Sequence, residues 1–311
     1  MKTWKVGSRK SRLALTQTHW VLEQLKKRHR DFSYELKHIV TKGDQILDVA
    51  LAKVGGKGLF VKEIEQALLD GEIDLAVHSM KDMPAQLPEG LAIVCVPRRE
   101  DHRDVLISRD GKGFYDLPPG AVVGTSSLRR RAMLLHARPD LHVVSLRGNI
   151  DTRLKKLEEG QYDAIVLAAA GLNRMGWSAE KVTEYLPVER FLPAVGQGAL
   201  AIECRADDEE LIACLAAIHD PETANAVAAE RAFLAALDGD CRVPIAAYAE
   251  KTEDGYRLTG MVAAPDGQTV INDSLTGAEP DALGWTLADR LKARGASELL
   301  TAAKEAWSAH E

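Results

Sequence analysis

The sequence predicts an α/β fold: two α/β domains facing a cleft, then a small C-terminal α+β domain with a three-stranded antiparallel sheet. Three observations predict it. Short apolar runs alternate with helix-period segments as far as Arg205. From Asp220 onward the pattern changes to short strands separated by Asp-Gly turns. The 311 residues are enough for two or three domains, and a hydrophobic content of 46% supplies their cores.

The elements follow in order. Residues 4–8 read as a strand, and 11–28 as a helix carrying Leu13, Gln17, Trp20, Val21 and Leu25 at mostly helical spacing. "YELKHIV" (34–40) completes a βαβ unit, which predicts a parallel sheet. After the glycine-rich "LAKVGGKGLF", a helix over 60–70 places Phe60, Ile64, Ala67 and Leu68 on one face, with Gly71 at C′. Strands are expected at 73–77 and 91–97. The charged "RREDHRD" (98–104) reads as a crossing between domains. Then "AVVG", "HVVSLRG" and "DAIVLAAA" each precede a helix, and "LPAVGQGALAIECR" (192–205) is a candidate to cross back. Asp220-Pro221-Glu222 is a helix start, with Asp as N-cap and Pro at N1. "IAAYAE", "YRLTGMVA" and "QTVINDSL" form the antiparallel sheet, and two amphipathic helices follow. The domain boundaries expected are 1–98 with 197–217, then 99–196, then 218–311.

Composition narrows the function. A net charge of −6 argues against a surface built for nucleic acid. "MKTWKVGSRKSRLAL" has no apolar signal-like segment, and no run approaches ~18 apolar residues, so a cytoplasmic protein without a membrane span is expected. Cys95, Cys204, Cys214 and Cys241 form no CxxC pair or zinc spacing, and the histidines give no metal pattern. "KVGGKG" lacks the spacing of a phosphate loop. It is either a mobile lid carrying Lys53 and Lys57 or an ordinary flexible loop.

The candidate chemistry sits at strand ends, where open parallel sheets bind ligands. Lys81 and Asp82 follow one strand, Thr125-Ser126-Ser127 another, and Arg147-Gly148-Asn149 a third. Residues 121–154 hold six arginines against two aspartates. Ser126 or Ser127 can cap a helix whose first turn carries Arg129 and Arg130. Cations oppose the dipole there, which suggests an anion between them and the helix end. Arginine recognises carboxylate or phosphate in bidentate fashion. Arg131 and Arg138 read as ordinary surface residues, and His78 as a hydrogen-bonded strand-end histidine. Cys241, between Asp240 and Arg242, reads as an exposed, inert thiol.

Taken in order, "GSRKSRLAL", "VTKGD", "LAKVGGKGLFVKEIE", "AVHSMKDMP", "GTSSLRR", "SLRGNIDTRL", "YDAIVLAAAGL", "LPAVGQGALAIECR" and "AAER" followed by "GDCRVPIA" resemble the porphobilinogen deaminases over nearly the whole chain. The resemblance implies two periplasmic-binding-protein-like domains and a monomer. It also implies a transferase that condenses four porphobilinogen molecules, with release of ammonia, into hydroxymethylbilane. It assigns a dipyrromethane cofactor to Cys241 through a thioether, with Asp240 departing from the family's usual glycine. It makes Asp82 catalytic. Lys81, Thr125, Ser127, Arg129, Arg130 and Asn149 become cofactor-holding. Arg9, Ser11, Gln17, Arg147, Arg153 and Arg174 become substrate-side. The carboxylates of a full pyrrole chain would outnumber these arginines. Domain motion and a mobile loop at 42–58, with Lys53 and Lys57, are therefore expected to move older rings past one Asp82. Two rivals remain at this point. A non-enzymatic dicarboxylate binder gives Cys241 no role, and a nucleic-acid module conflicts with the acidic total.

Overall fold

The computed structural model describes residues 2–45, 61–239 and 243–308. The chain divides into two compact units, residues 1–100 with 199–225 and residues 101–198 with 226–311. The strands, in chain order, are β1 (Thr3–Ser8), β2 (Ser33–His38), β3 (Leu75–Ser79), β4 (Leu91–Cys95), β5 (Asp104–Ser108), β6 (Val122–Gly124) and β7 (His142–Val144). They continue with β8 (Ala164–Ala168), β9 (Glu184–Tyr185), β10 (Leu200–Arg205), β11 (Ile245–Thr252), β12 (Gly255–Ala263) and β13 (Val270–Gly277).

The first unit holds a sheet of order β2-β1-β3-β10-β4. β1 is parallel to β2 and β3, but β10 is antiparallel to both β3 and β4. The expected parallel sheet is therefore mixed. The late segment does cross back, and it enters between β3 and β4. Helix Arg12–Arg28 starts on Ser11, whose Oγ accepts from Ala14 N at 3.3 Å, and ends in Lys26, Lys27 and Arg28, the favourable polarity for a helix dipole. Its Val21, Leu22 and Leu25 pack with Val6, Leu75, Val77 and Ile202 on one sheet face. Helix Lys62–Leu69 covers the other face through Ile64, Ala67 and Leu68, which pack with Ile73, Ala76 and Leu91. Gly71 sits at C′ with φ +69°, as its sequence position predicts.

In the second unit a sheet of order β7-β6-β8-β5-β9 repeats this plan. β6 is parallel to β7 and β8, and β5 runs antiparallel to β8. β5 was not expected. The charged "RREDHRD" ends on Asp104, which is the first residue of that buried strand.

The same unit holds the antiparallel sheet β11-β12-β13. Its two faces have different partners. Ile245, Ala247, Ala249, Leu258 and Val262 pack against Phe233 of helix Pro221–Ala236 and Leu287 of helix Pro280–Lys292. Ala246, Met261 and Ala263, the alternate positions, join the core of the second α/β sheet, with Phe114, Val123 and Ala132. Tyr248 stacks on His102 at 3.9 Å. Asp220 caps its helix by accepting from Thr223 N at 2.7 Å.

Gly267, in the second Asp-Gly turn, seats this sheet on helix Leu128–Ala137. Its φ is +73°, and a Cβ there would lie 2.4 Å from Ala132 O and 2.7 Å from His136 N. His136 Nδ1 donates to Gly267 O at 2.9 Å. Gly267→Ala is expected to destabilise by about 1–3 kcal/mol, since both backbone strain and a clash against helix backbone arise. Urea unfolding at neutral pH measures this as a lowered midpoint.

Candidate functional site

Asp82 and its neighbours are built by the end of β3. The strand runs into a 3-10 turn, Met80–Asp82, held by Met80 N donating to Ala199 O at 3.0 Å and Met83 N to Met80 O at 3.1 Å. Met80 and Met83 are buried, so the two charged residues between them, Lys81 and Asp82, are exposed. The sequence Met-Lys-Asp-Met thus anchors a carboxylate at a strand end between two apolar pins.

Asp82 lines a pocket with Arg9, Ser11, Gln17, His78 and Ser79. Four of these six are sequence-predicted site residues. Arg9 and Ser11 arrive from the end of β1. Ser11 doubles as the cap of the following helix, which has no acidic residue in its first turn. Gln17, one turn on, is 4% exposed, and its amide bonds to Ser79 Oγ at 3.0 Å, tying that helix to the end of β3. Leu13, Ala14, Val61, Ile64 and Val77 supply apolar walls. The pocket thus offers one carboxylate, one guanidinium, an imidazole, and hydroxyl and amide groups over an apolar floor, a lining that can orient a small polar ligand.

The second group sits at the ends of β6, β7 and β8. Ser127 is the cap of helix Leu128–Ala137, accepting from Arg130 N at 3.3 Å. Ser126 instead donates to Leu146 O at 2.7 Å. Thr125 Oγ1 accepts from Ser127 N. Asn149 caps helix Ile150–Glu158 by accepting from Thr152 N at 2.9 Å. Arg153 Nε donates to Gly148 O at 2.8 Å, and Arg174 Nη2 to Gly198 O at 2.7 Å. Arg147, Arg153 and Arg174 are all half-buried.

Arg129 and Arg130 depart from expectation. An anion does compensate them, but it belongs to the chain. Asp104 receives Arg129 Nη1 at 2.8 Å through Oδ2 and Arg130 Nη2 at 2.8 Å through Oδ1. All three are buried. Burial would raise the Asp104 carboxyl, but the charges and hydrogen bonds of Arg129 and Arg130 outweigh it and hold the group well below the usual carboxylate range. Gln197, itself buried, completes the cluster: Nε2 donates to Asp104 Oδ1 at 2.9 Å and to His102 O at 2.8 Å. Two guanidiniums on one carboxylate leave an excess positive charge. Among the described residues, Arg129 Nε is buried with no hydrogen-bond partner. That orphaned donor and the uncompensated charge fit a carboxylate-bearing group bound beside them.

The two arginines read as ordinary surface residues are structural instead. Arg131 Nη1 donates to Val143 O at 2.6 Å. Arg138 bonds to Asp140 and to the carbonyls of Phe114 and Leu117, and its hydrogen bonds bring the Asp140 carboxyl down to about 2. Cys241, Lys53 and Lys57 lie outside the described residues. The other three cysteines are free, and burial pushes the thiols of Cys95 and Cys204 up to about 12, which leaves them inert.

Residues 4–213 match the family model described as porphobilinogen deaminase, dipyromethane cofactor binding domain, and residues 224–293 match porphobilinogen deaminase, C-terminal domain. The chain belongs to the porphobilinogen deaminase family. A porphobilinogen deaminase of Bacillus pumilus is 60% identical over 306 residues, covering 98% of each chain. Those of Geobacillus kaustophilus and Bacillus subtilis are 59% and 58% identical over 305 residues, covering 98% of this chain and 99% and 97% of theirs. Among solved structures, the methionine-binding protein MetQ is similar at TM-score 0.44 and 16% identity, over 72% of this chain and 94% of that one; this carries no argument about ligand.

The deaminase cofactor domain therefore contains both polar groups, the Asp82 pocket and the Arg129–Asp104–Arg130 cluster. Sequence reading missed Asp104, Gln197 and Glu203. An aspartate that opens the apolar run "DVLI" and a glutamate inside "ALAIECR" were the available signals, because a charge in a buried strand demands a partner.

Asp104→Asn is expected to destabilise by about 3–5 kcal/mol, because it leaves two buried guanidiniums uncompensated. The sign of the pH dependence follows from the lowered carboxyl. Asp104 contributes its stability above the unfolded carboxylate range, and this is lost as pH falls toward the lower folded value. Urea melts from pH 7 down to pH 3 check this: the wild type loses stability with acid, and the Asn variant loses that much less.

Proposed function

We propose that this chain joins four porphobilinogen molecules head to tail, with release of ammonia, into the linear tetrapyrrole hydroxymethylbilane. The observation that carries the reading is the pocket that gathers Asp82, Arg9, Ser11 and Gln17 in a chain of this family.

When bound, the dipyrromethane group supplies the nucleophilic pyrrole carbon on which synthesis starts. Cys241 would hold it as a thioether, a bond that hydrolysis does not break. Lys81, Thr125, Ser127, Arg129, Arg130 and Asn149 are the residues proposed to hold its side chains. Arg129 Nε and the excess charge around Asp104 are the support for that assignment.

The residues of the pocket divide the remaining work. Porphobilinogen carries an acetate and a propionate, so each unit needs cationic partners. Arg9 offers one at the end of β1, beside the helix N-terminus capped by Ser11. Arg147, Arg153 and Arg174 are proposed for units already joined, at the ends of β7 and β8. A charge-assisted hydrogen bond contributes roughly 1.5–3 kcal/mol, so a few suffice to orient one ring. Loss of ammonia leaves positive charge on the substrate's pyrrole nitrogen. Asp82 accepts the pyrrole N–H and stabilises that charge as it develops, from a turn held by backbone hydrogen bonds at both methionines. Gln17, locked to Ser79, keeps the neighbouring wall in place.

Intact mass of the denatured protein tests the reading. The wild type should carry an adduct of dipyrromethane size, and Cys241→Ser should run at its bare sequence mass even after incubation with porphobilinogen. An adduct that survives in Cys241→Ser would remove the thioether assignment. Asp82→Ala should melt near the wild-type temperature and lose at least ~10²-fold in turnover; ammonia release at the wild-type rate would remove Asp82 from its role.

A further inference from the structure

Behind the Asp82 pocket lies a buried group of titratable side chains that the scheme above does not use. His78 is on β3, Glu203 on β10 and Glu65 on helix Lys62–Leu69. The pairing register puts them together. His78 lies opposite Ala201, and Glu203 opposite Ala76, so both project from the sheet face that this helix covers. Glu203 is 0% exposed, and Glu65 and His78 are 6% exposed. His78 Nε2 stands 3.0 Å from Glu203 Oε2. The contact is close but not an aligned hydrogen bond: among the described residues, Nε2, both Glu203 oxygens and Glu65 Oε1 lack a hydrogen-bond partner. Two carboxylates under a helix, without aligned bonds, carry a large desolvation cost with no structural return. Among the described residues, no such group has a metal-binding arrangement.

The ring links two environments. One nitrogen faces Glu203, and the residue also lines the pocket that holds Asp82. A histidine at a reaction pocket with a buried carboxylate behind it is the arrangement that orients an imidazole and stabilises the imidazolium it forms. Burial, then the Glu203 charge, push the Glu65 carboxyl up. Glu203, 3.0 Å from Nε2, is the carboxylate nearest the ring. The groups that bear on His78 are thus Glu203 from β10, Glu65 from the covering helix with Lys62 beside it, Asp82 from the turn after β3, and Arg9 from the end of β1.

We propose that His78 is a second catalytic residue of this pocket: the base that takes the proton lost from the pyrrole carbon when each new carbon–carbon bond forms, with Glu203 as its positioning residue. This rests on the deaminase reading and divides a task that Asp82 alone performs poorly. Asp82 must stay ionised to hold the pyrrole cation, and a proton parked on it would cancel that charge. With His78 as base, the C–H bond breaks and its electron pair restores the aromatic ring. The proton moves to Nδ1, and the imidazolium gains Glu203 as counter-charge. It then gives the proton to the amine of the next porphobilinogen, which departs as ammonia, so each round ends in the starting protonation state.

The test is turnover of porphobilinogen deuterated at its free α-carbon, in holoenzyme prepared from wild type, His78→Gln and Glu203→Gln. In His78→Gln, kcat should fall roughly 10²-fold. KM should change by less than about twofold. A primary deuterium isotope effect absent from the wild type should appear, because deprotonation becomes rate-limiting. Glu203→Gln should show the same isotope effect with a smaller loss and a displaced pH–rate profile. His78→Gln with wild-type kcat, or with a reduced kcat but neither an isotope effect nor a changed profile, would overturn the assignment. If His78→Gln does not fold, Glu203→Gln decides alone: a folded variant with no isotope effect overturns it. Failure of the wild type to release ammonia would instead sink the deaminase reading itself.

Discussion

Sheets covered on both faces leave polar chemistry one place to go. In each unit, apolar side chains fill both sides of the five-stranded sheet, so a charged group within a strand must find a partner or stay outside. The carboxyl ends of the parallel strands are where the chain emerges, turns and starts a helix. Free N–H groups, cap hydroxyls and short turns all collect there. Arg9 and Ser11 follow β1, Asp82 follows β3, Thr125 and Ser127 follow β6, and Arg147 and Asn149 follow β7. The positions of these side chains are thus consequences of covering a sheet, before any question of which ligand they meet.

The two polar groups then treat charge in opposite ways. Around Asp104 the arginines are taken out of water, share one carboxylate and keep a net positive charge at a fixed place. Such a cluster is poorly solvated and cannot rearrange cheaply, which makes it suited to gripping an anionic group that stays put. Among the described residues, Asp82 is held by its backbone turn and its two methionine anchors, with its carboxylate at the surface of a pocket. A carboxylate in contact with solvent can meet one transient cation after another. The two groups differ in how deeply each charge is buried.

The local features were legible in sequence. The caps at Asp220 and at one of Ser126 and Ser127, and the C′ glycine at Gly71, depend on near neighbours and form where the sequence places them, with Ser127 the serine that caps; the caps at Ser11 and Asn149 were not read. The antiparallel third sheet was legible from its Asp-Gly turns. Pairing across distance was not. The chain gives no local sign that β10 runs antiparallel to β3, and the apolar run of β5 was hidden behind the charged stretch that ends on its first residue. Asp104 finds Arg129 and Arg130 only once β5 lies beside β8, so those arginines looked as though they awaited a foreign anion. His78 read as a strand-end residue because its partner, Glu203, arrives from far along the chain.

The insertion of β10 between β3 and β4 also shapes how the protein comes into being. On the ribosome, β1 to β4 emerge first, but the strand that joins β3 to β4 follows only after the whole second sheet has been made. Until then the first sheet has a gap between β3 and β4 and two unsatisfied edges there. Closing it joins residues far apart in the chain, a slow event by loop-closure entropy. The nascent first unit is the part of this molecule most in need of protection from neighbouring chains, and its native state begins with the arrival of Leu200–Arg205.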